Sequence, residues 1–184
     1  MKIIKDILYK VAIESVVGST ETRINKIEFD SRKIADADVF VAVRGTISNG
    51  HDFIATTIQK GATVIVCDTL PNDLPAGITF VKVADTNVAL AQMASNFYQN
   101  PSAKLKLVGI TGTNGKTTIT SLLYHLFTNA GRKVGLLSTV KIMVNSTQYP
   151  ATHTTPDSLS INYYLNEMIE NGVEYCFMEV SSHG

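Results

Sequence analysis

The chain reads LKLVGITGTNGKTT from Leu105 to Thr118, and this stretch decides the fold of its second half. Residues 105–110 are an apolar run with the composition of a buried strand, and residues 116–130 follow with apolar residues at helical spacing. The glycines between them let the backbone turn and bring its N–H groups close to a ligand. A glycine-rich turn between a strand and a helix is the context that phosphate binding requires. The sequence therefore predicts a phosphate-binding loop at residues 112–118.

Two side chains of this loop are suited to a nucleotide with its metal ion. Lys116 can reach the β- and γ-phosphates, and the hydroxyl of Thr117 can join the shell of a Mg²⁺ ion. The helix that starts here adds a partial positive charge at its N-terminus. The strict motif has a glycine where this chain has Ile110, so the loop is a variant of it.

An acidic residue, Glu179, ends the apolar run of residues 174–180. Taken alone, a glutamate at a strand end is an ordinary solvent-facing residue. Phosphate-binding-loop enzymes need an acidic residue at such a position, because Mg²⁺ prefers carboxylate and water oxygens. When the loop is considered as well, the sequence favours a magnesium site formed by Thr117 and Glu179. The candidate catalytic residues are Lys116 and Glu179.

Two further polar segments remain open to more than one interpretation. Thr152–Asp157 precedes a predicted helix, where its hydroxyls and the N–H groups could hold an anionic substrate. The local sequence favours a simpler helix entry, with Asp157 as the cap. Asp30-Ser31-Arg32 follows a strand-like run, and its arginine is expected to form a surface salt bridge more readily than a phosphate contact.

The first half of the chain also alternates between strands and helices. Apolar runs predict strands at 39–43, 63–67 and 79–83, and helical spacing predicts helices at 51–60 and 86–99. This order predicts an α/β fold with a largely parallel sheet. We place an N-terminal α/β domain at residues 1–102 and the first part of a second α/β domain at residues 103–184.

Composition excludes several classes of function. Lys and Arg number 16, as do Asp and Glu, and this balance argues against a nucleic-acid-binding protein. Cys67 and Cys176 both lie inside apolar runs, which indicates buried thiols in a reducing compartment. Neither a signal peptide nor a run of membrane-spanning length is present, so we expect a cytoplasmic protein without a membrane partner.

Taken together, six segments resemble the Mur ligase family, and the resemblance runs through the chain in order. They are Asp30–Arg32, Asp38–Gly45, Asn49–Ile54, the loop Gly112–Thr118, Thr154–Asp157 and Met178–Gly184. The last of these most resembles the family branch that adds the third residue of the peptidoglycan peptide. The phosphate-binding loop alone would also fit folylpolyglutamate synthases.

The resemblance implies an ATP-dependent amide ligase that acts through an acyl phosphate. Its substrates would be UDP-N-acetylmuramoyl-L-Ala-D-Glu and an amino acid, either diaminopimelate or lysine. ATP would be held by Gly112, Thr113, Asn114, Gly115, Lys116, Thr117 and Thr118, and Mg²⁺ by Thr117 and Glu179. The uridine side of the substrate would contact Phe29, Ser31, Thr46, Ile47 and Ser48, and the muramoyl-dipeptide end would contact His153, Thr154, Thr155 and Ser181.

The resemblance also implies that catalysis needs more than these residues. In the family a carbamylated lysine, further metal ligands and an amino-acid-selecting domain come later in the chain than residue 184. We therefore expect an N-terminal fragment that is inactive alone. The sequence does not fix the oligomeric state, and a monomer is the default expectation. The alternatives are the Mur ligase that adds D-Ala-D-Ala and a nucleotide-binding module without ligase activity.

Overall fold

A computed structural model describes residues 1–45, 48–150 and 156–180 of the chain. The predicted α/β class is confirmed, because strands and helices alternate in both of two compact units. The units divide between Phe97 and Tyr98, ahead of the boundary proposed from the sequence. The short 3₁₀ helix Pro101–Ala103 packs on a helix of the second unit, which explains why the residues just before position 103 group with that unit.

The first unit contains seven strands, three α-helices and a 3₁₀ helix at Gly50–Phe53 within its described residues. In chain order, the strands and α-helices are β1 (Lys2–Ile3), α1 (Ile4–Ile7), β2 (Ile13–Val17), β3 (Arg23–Ile24), β4 (Ile27–Glu28), β5 (Val39–Val41), α2 (Ile54–Gln59), β6 (Val64–Cys67), β7 (Thr79–Val83) and α3 (Thr86–Phe97). The main sheet has the order β2-β7-β6-β5-β4, in which β2 is antiparallel and the other four strands are parallel. The carboxyl ends of β4, β5 and β6 therefore lie side by side.

The second unit contains a sheet of five strands, and the predicted loop follows one of its edge strands. Its described elements are β8 (Lys106–Ile110), α4 (Lys116–Asn129), β9 (Val134–Leu137), β10 (Lys141–Val144), β11 (Thr147–Pro150), α5 (Ser158–Glu170) and β12 (Tyr175–Glu179). The order is β11-β10-β9-β12-β8, with β12 parallel to both β8 and β9. This order places the ends of β8 and β9 on either side of the end of β12.

Both units form cores from the residues that the apolar patterns indicate. The first unit buries Phe40, Ile65 and Phe80 completely, and the second buries Leu165 and Met168. Cys67 and Cys176 are also buried, as expected, and are free thiols; burial raises the pKa of Cys67 to about 11 and that of Cys176 further.

Some elements differ from the expectation. The helix predicted for residues 51–60 begins as the 3₁₀ turn and continues as α2. The pattern did not predict β2, because this strand lies at the sheet edge with every residue exposed and has no buried face to mark it.

The predicted buried stripe of the helix after the loop is partly wrong. The apolar spacing of residues 116–130 predicts a buried stripe of Ile119, Leu122, Leu123, Leu126, Phe127 and Ala130. Of these, Ile119, Leu122, Leu126 and Ala130 are exposed. Instead Thr120 and Tyr124 are buried, and Leu123 and Phe127 pack against the core at their side. The reason is that α4 has apolar residues on two faces, and the described part of the sheet covers one of them.

Within the described residues, the helices are all too short or too polar to cross a lipid bilayer.

Candidate active site

The loop after β8 has the backbone shape of a phosphate-binding loop. Gly112 and Gly115 have φ values of 144° and 79°, in the region that residues with a side chain rarely adopt. Gly115 is the N-cap of α4 and offers no side chain to the first N–H groups of that helix. These donors, together with the helix dipole, therefore remain available to an anion.

Lys116 lies over this loop. Its ammonium nitrogen donates a hydrogen bond to the carbonyl oxygen of Gly112, at a distance of 2.7 Å. Residues 111–115 are exposed, so an anion can reach both the loop and the ammonium group from solvent. The loop thus combines N–H donors, a helix N-terminus and a cation at one place.

Glu179 is held against this loop. It ends β12 and pairs in register with Ile110 at the end of β8, so parallel pairing places its carboxylate beside the loop. The hydroxyl of Thr117 lies 3.0 Å from Oε1 and 2.9 Å from Oε2 of Glu179, and donates to this carboxylate. Glu179 is only 9% exposed, which excludes the interpretation of it as a solvent-facing strand end.

Thr139 also binds this carboxylate, and the sequence reasoning missed it. Its backbone N–H and its hydroxyl both lie 3.2 Å from Oε2 of Glu179. Thr139 is in the turn after β9, next to the end of β12 on the side away from β8. A signal was present, since a hydroxyl residue just after a strand of a parallel sheet lies at the edge where ligands bind.

The first unit has a polar edge of its own, at the carboxyl ends of β4, β5 and β6. Phe29 and Ser31 follow β4 and are half-buried, and the exposed Ser48 lies in the segment after β5. Arg32 is paired with Asp30 through two hydrogen bonds of 2.9 and 2.8 Å and is 86% exposed, as expected for a surface salt bridge. The guanidinium of Arg32 lowers the pKa of Asp30 to about 2.

A second ion pair at this edge was not predicted. Arg44, after β5, donates two hydrogen bonds of 2.7 Å to Asp68, which follows β6. Nε2 of His51 lies 3.1 Å from Oδ1 of Asp68, and Nδ1 of His51 lies 3.0 Å from Oδ1 of Asn49. The Arg44 hydrogen bonds lower the pKa of Asp68 to about 2, and burial lowers the pKa of His51 although Asp68 opposes that shift.

Two protein-family models match this chain, and each of them lies almost entirely within one of the two units. Residues 23–98 match the model "Mur ligase family, catalytic domain", and residues 110–184 match the "Mur ligase middle domain". The chain belongs to the Mur ligase family.

One curated relative of this Mur ligase chain is the UDP-N-acetylmuramoyl-L-alanyl-D-glutamate–2,6-diaminopimelate ligase of Cytophaga hutchinsonii. It is 54% identical over 181 residues, which are 98% of this chain and 37% of the relative. The Mur ligase chain therefore spans about two fifths of the length of that relative.

Solved structures show the same fold. A UDP-N-acetylmuramoyl-L-alanyl-D-glutamate–2,6-diaminopimelate ligase aligns with a TM-score of 0.77 at 21% identity, over 100% of this chain and 37% of the other. The MurF ligase from Thermotoga maritima, in complex with ADP, aligns with a TM-score of 0.58 at 26% identity, over 89% and 33%.

The oxygen atoms at the Mur ligase loop fit a magnesium ion. Two oxygens bound to octahedral Mg²⁺ at about 2.1 Å are about 3 Å apart when they are neighbours. Thr117 Oγ1 and the two carboxylate oxygens of Glu179 have this separation, at 3.0 and 2.9 Å. No group of three or more His, Cys, Asp or Glu side chains that could hold a metal occurs in the part of the chain that the structure describes, so phosphate and water oxygens would complete the shell.

The structure brings the predicted nucleotide residues together in the second unit. The loop Gly112–Thr118 and Glu179 form one cluster, and Phe29, Ser31 and Ser48 belong to the edge of the first unit. The other predicted substrate residues fall outside the described part of the chain, namely Thr46, Ile47, His153, Thr154, Thr155 and Ser181. Asp157 caps α5 by accepting a hydrogen bond from the N–H of Ser160 at 2.9 Å, which supports a helix entry there.

Proposed function

We propose that the protein to which this chain belongs is the ligase that joins diaminopimelate to UDP-N-acetylmuramoyl-L-Ala-D-Glu in the cytoplasm, using ATP and Mg²⁺. One observation carries the proposal: the hydroxyl of Thr117, in the loop, lies against the buried carboxylate of Glu179. The choice of substrates rests on the diaminopimelate ligase of Cytophaga hutchinsonii, which is 54% identical over nearly the whole chain.

In this proposal the second unit binds ATP and directs its terminal phosphoryl group. The N–H groups of the loop and the ammonium group of Lys116 hold the phosphates and offset their charge. Thr117 and Glu179 would hold Mg²⁺, which supplies further positive charge at the phosphoryl group when it is bound. Phosphoryl transfer depends mainly on positioning and on such charge stabilisation, and these residues provide both.

The first unit contributes substrate binding. Phe29 and Ser31 would contact the uridine side of the substrate, with Thr46, Ile47 and Ser48 nearby. The second unit would contact the muramoyl-dipeptide end through His153, Thr154, Thr155 and Ser181.

The γ-carboxylate of the D-glutamate would accept the phosphoryl group from ATP, giving an acyl phosphate and ADP. The amine of diaminopimelate would then attack the acyl carbon, form the amide and release phosphate.

Titration calorimetry on the 184-residue chain tests this proposal. We expect it to bind UDP-N-acetylmuramoyl-L-Ala-D-Glu, with a loss of affinity in Ser31→Ala. The control variant Asp73→Asn changes an exposed residue of the same unit and should bind the UDP compound as the parent does. Binding of a non-hydrolysable ATP analogue without binding of the UDP compound would instead support a nucleotide-binding module.

Amide formation separates the remaining alternatives. We expect the 184-residue chain to form no product from ATP, the UDP compound and diaminopimelate, because the proposed amine site lies in the rest of the ligase. In the whole ligase we expect diaminopimelate to be joined. Joining of D-Ala-D-Ala to a UDP-tripeptide there would contradict the proposal in favour of the other Mur ligase.

A further inference from the structure

The carboxylate of Glu179 has two oxygens in different surroundings. Oε2 accepts from the N–H and the hydroxyl of Thr139, at 3.2 Å each, and is also 2.9 Å from the hydroxyl of Thr117. Oε1 contacts the hydroxyl of Thr117 at 3.0 Å, and Thr139 does not reach it. Both oxygens therefore contact Thr117, and the turn after β9 binds Oε2 in addition.

The turn that presents Thr139 is itself held firmly. The hydroxyl of Ser138 donates to the carbonyl oxygen of Lys141 at 2.8 Å and accepts from the N–H of Lys141 at 3.2 Å. Ser138 is buried, and β9 and β10 pair on either side of the turn. Because these bonds close the turn, the N–H and the hydroxyl of Thr139 point at Glu179 from a rigid support.

The hydroxyl of Thr117 cannot fix the carboxylate by itself. It has a single proton, shared between Oε1 and Oε2, and the same oxygen must offer a lone pair to the metal. A carboxylate held by that one bond could rotate when the metal binds. A second donor on the opposite side prevents the rotation, and Thr139 supplies two.

We propose that Thr139 is a positioning residue for the magnesium site: it holds Oε2 of Glu179 so that Oε1 faces the metal beside Thr117. This inference rests on the nucleotide and magnesium site of the proposed function. It assigns Thr139 no contact with ATP, and its effect passes entirely through Glu179.

The test compares the affinity for a non-hydrolysable ATP analogue in the presence of Mg²⁺ with the affinity in EDTA, by calorimetry on the 184-residue chain. Thr139→Val keeps the shape and the backbone N–H but removes the hydroxyl. We expect it to reduce the gain in affinity due to Mg²⁺ about threefold to tenfold, with the affinity in EDTA unchanged within about twofold. Thr139→Ser restores the hydroxyl and should return the gain to within about twofold of the parent.

Thr128→Val is the matched control, because its hydroxyl donates to the carbonyl of Tyr124 within α4 and does not reach Glu179. Thr139→Ala repeats the measurement if valine lowers the thermal unfolding temperature. The inference is overturned if the gain in affinity due to Mg²⁺ is unchanged in both Thr139→Val and Thr139→Ala. It is also overturned if the variants lose affinity equally with and without Mg²⁺, because that result indicates a purely structural role. A parent chain that binds the analogue without any magnesium gain would overturn the magnesium site of the proposed function as well.

Discussion

The polar edge of the first unit and the loop of the second unit follow strands that are covered to different degrees. In the first unit β5 and β6 are buried along their whole length, with β4 and β7 as neighbours. In the second unit β8, which leads into the phosphate-binding loop, lies at the sheet edge, and its Val108 is 40% exposed. Beside it, Leu122 and Leu126 of α4 are each 62% exposed. The nucleotide loop thus follows an exposed edge strand, whereas the polar edge of the first unit includes two strands that are buried along their whole length.

Core substitutions give the largest expected effect, and they test whether each unit depends on its own core. Phe40→Ala removes a fully buried aromatic ring from the first unit and should cost about 3–5 kcal/mol of its unfolding free energy. Leu165→Ala is the counterpart in the second unit, with an expected cost of about 2–5 kcal/mol. Amide hydrogen exchange measures both. Loss of protection in β9 and β12 on mutation of Phe40 would break the distinction between the units.

Removal of the loop cation should have the next largest effect. Lys116→Met takes away the ammonium group that we propose binds the phosphates. A hydrogen bond to a charged group is worth about 1.5–3 kcal/mol, so the affinity for a non-hydrolysable ATP analogue should fall about tenfold to a hundredfold. Binding of the UDP compound to the first unit should not change. Lys104→Met, an exposed lysine of the same unit, is the control. Calorimetry with both ligands measures this. If Lys116→Met weakened the binding of the ATP analogue and of the UDP compound together, the two units would not bind their ligands separately.

The Arg44–Asp68 pair predicts acid sensitivity in the first unit. The folded pKa of Asp68, about 2, lies below its ordinary value of 3.8, so the pair stabilises the fold above about pH 4 and less as the pH falls toward 2. Because Arg44 is largely in water, which screens the pair, we expect a small loss of stability. Asp68→Asn should lose this pH-dependent part in urea unfolding at about pH 3 and about pH 7, and the exposed Asp73→Asn should retain it. Equal pH dependence in both variants would contradict the assignment.

The exposed face of α4 should show the smallest effect on stability. Leu122→Lys combined with Leu126→Lys should change the unfolding free energy by less than about 0.5 kcal/mol, because neither side chain is covered in the second unit. Leu123→Lys, on the covered side of the same helix, should be clearly destabilising. If the double variant destabilised as much as Leu123→Lys, the two faces would not differ as described.

Much of the second unit's site could be predicted from short stretches of sequence. The loop, the helix after it and the carboxylate at a strand end are each local patterns with a physical cause. Glycines permit the turn, apolar spacing predicts the strand and the helix, and Mg²⁺ chemistry calls for a carboxylate. The contact between Thr117 and Glu179 joins residues 62 positions apart, and it follows from the parallel pairing of β8 with β12.

The sequence could not predict partners that depend on strand order. Thr139 reaches Glu179 because β9 is the other neighbour of β12, and Arg44 reaches Asp68 because β5 and β6 are adjacent. Nothing in the segments around these residues specifies which strands become neighbours. The same holds for α4, whose two apolar faces are equally plausible as core until the sheet covers one.

The amino-acid sequence by itself therefore determined the α/β class, the glycine-rich loop between a strand and a helix, and the family, because each is carried by short segments of the chain. The tertiary structure alone decided that the carboxylate of Glu179 is held from two sides, which face of α4 is covered and which charges pair at the edge of the first sheet. These depend on packing between distant segments, where the order of strands sets the neighbours of every side chain.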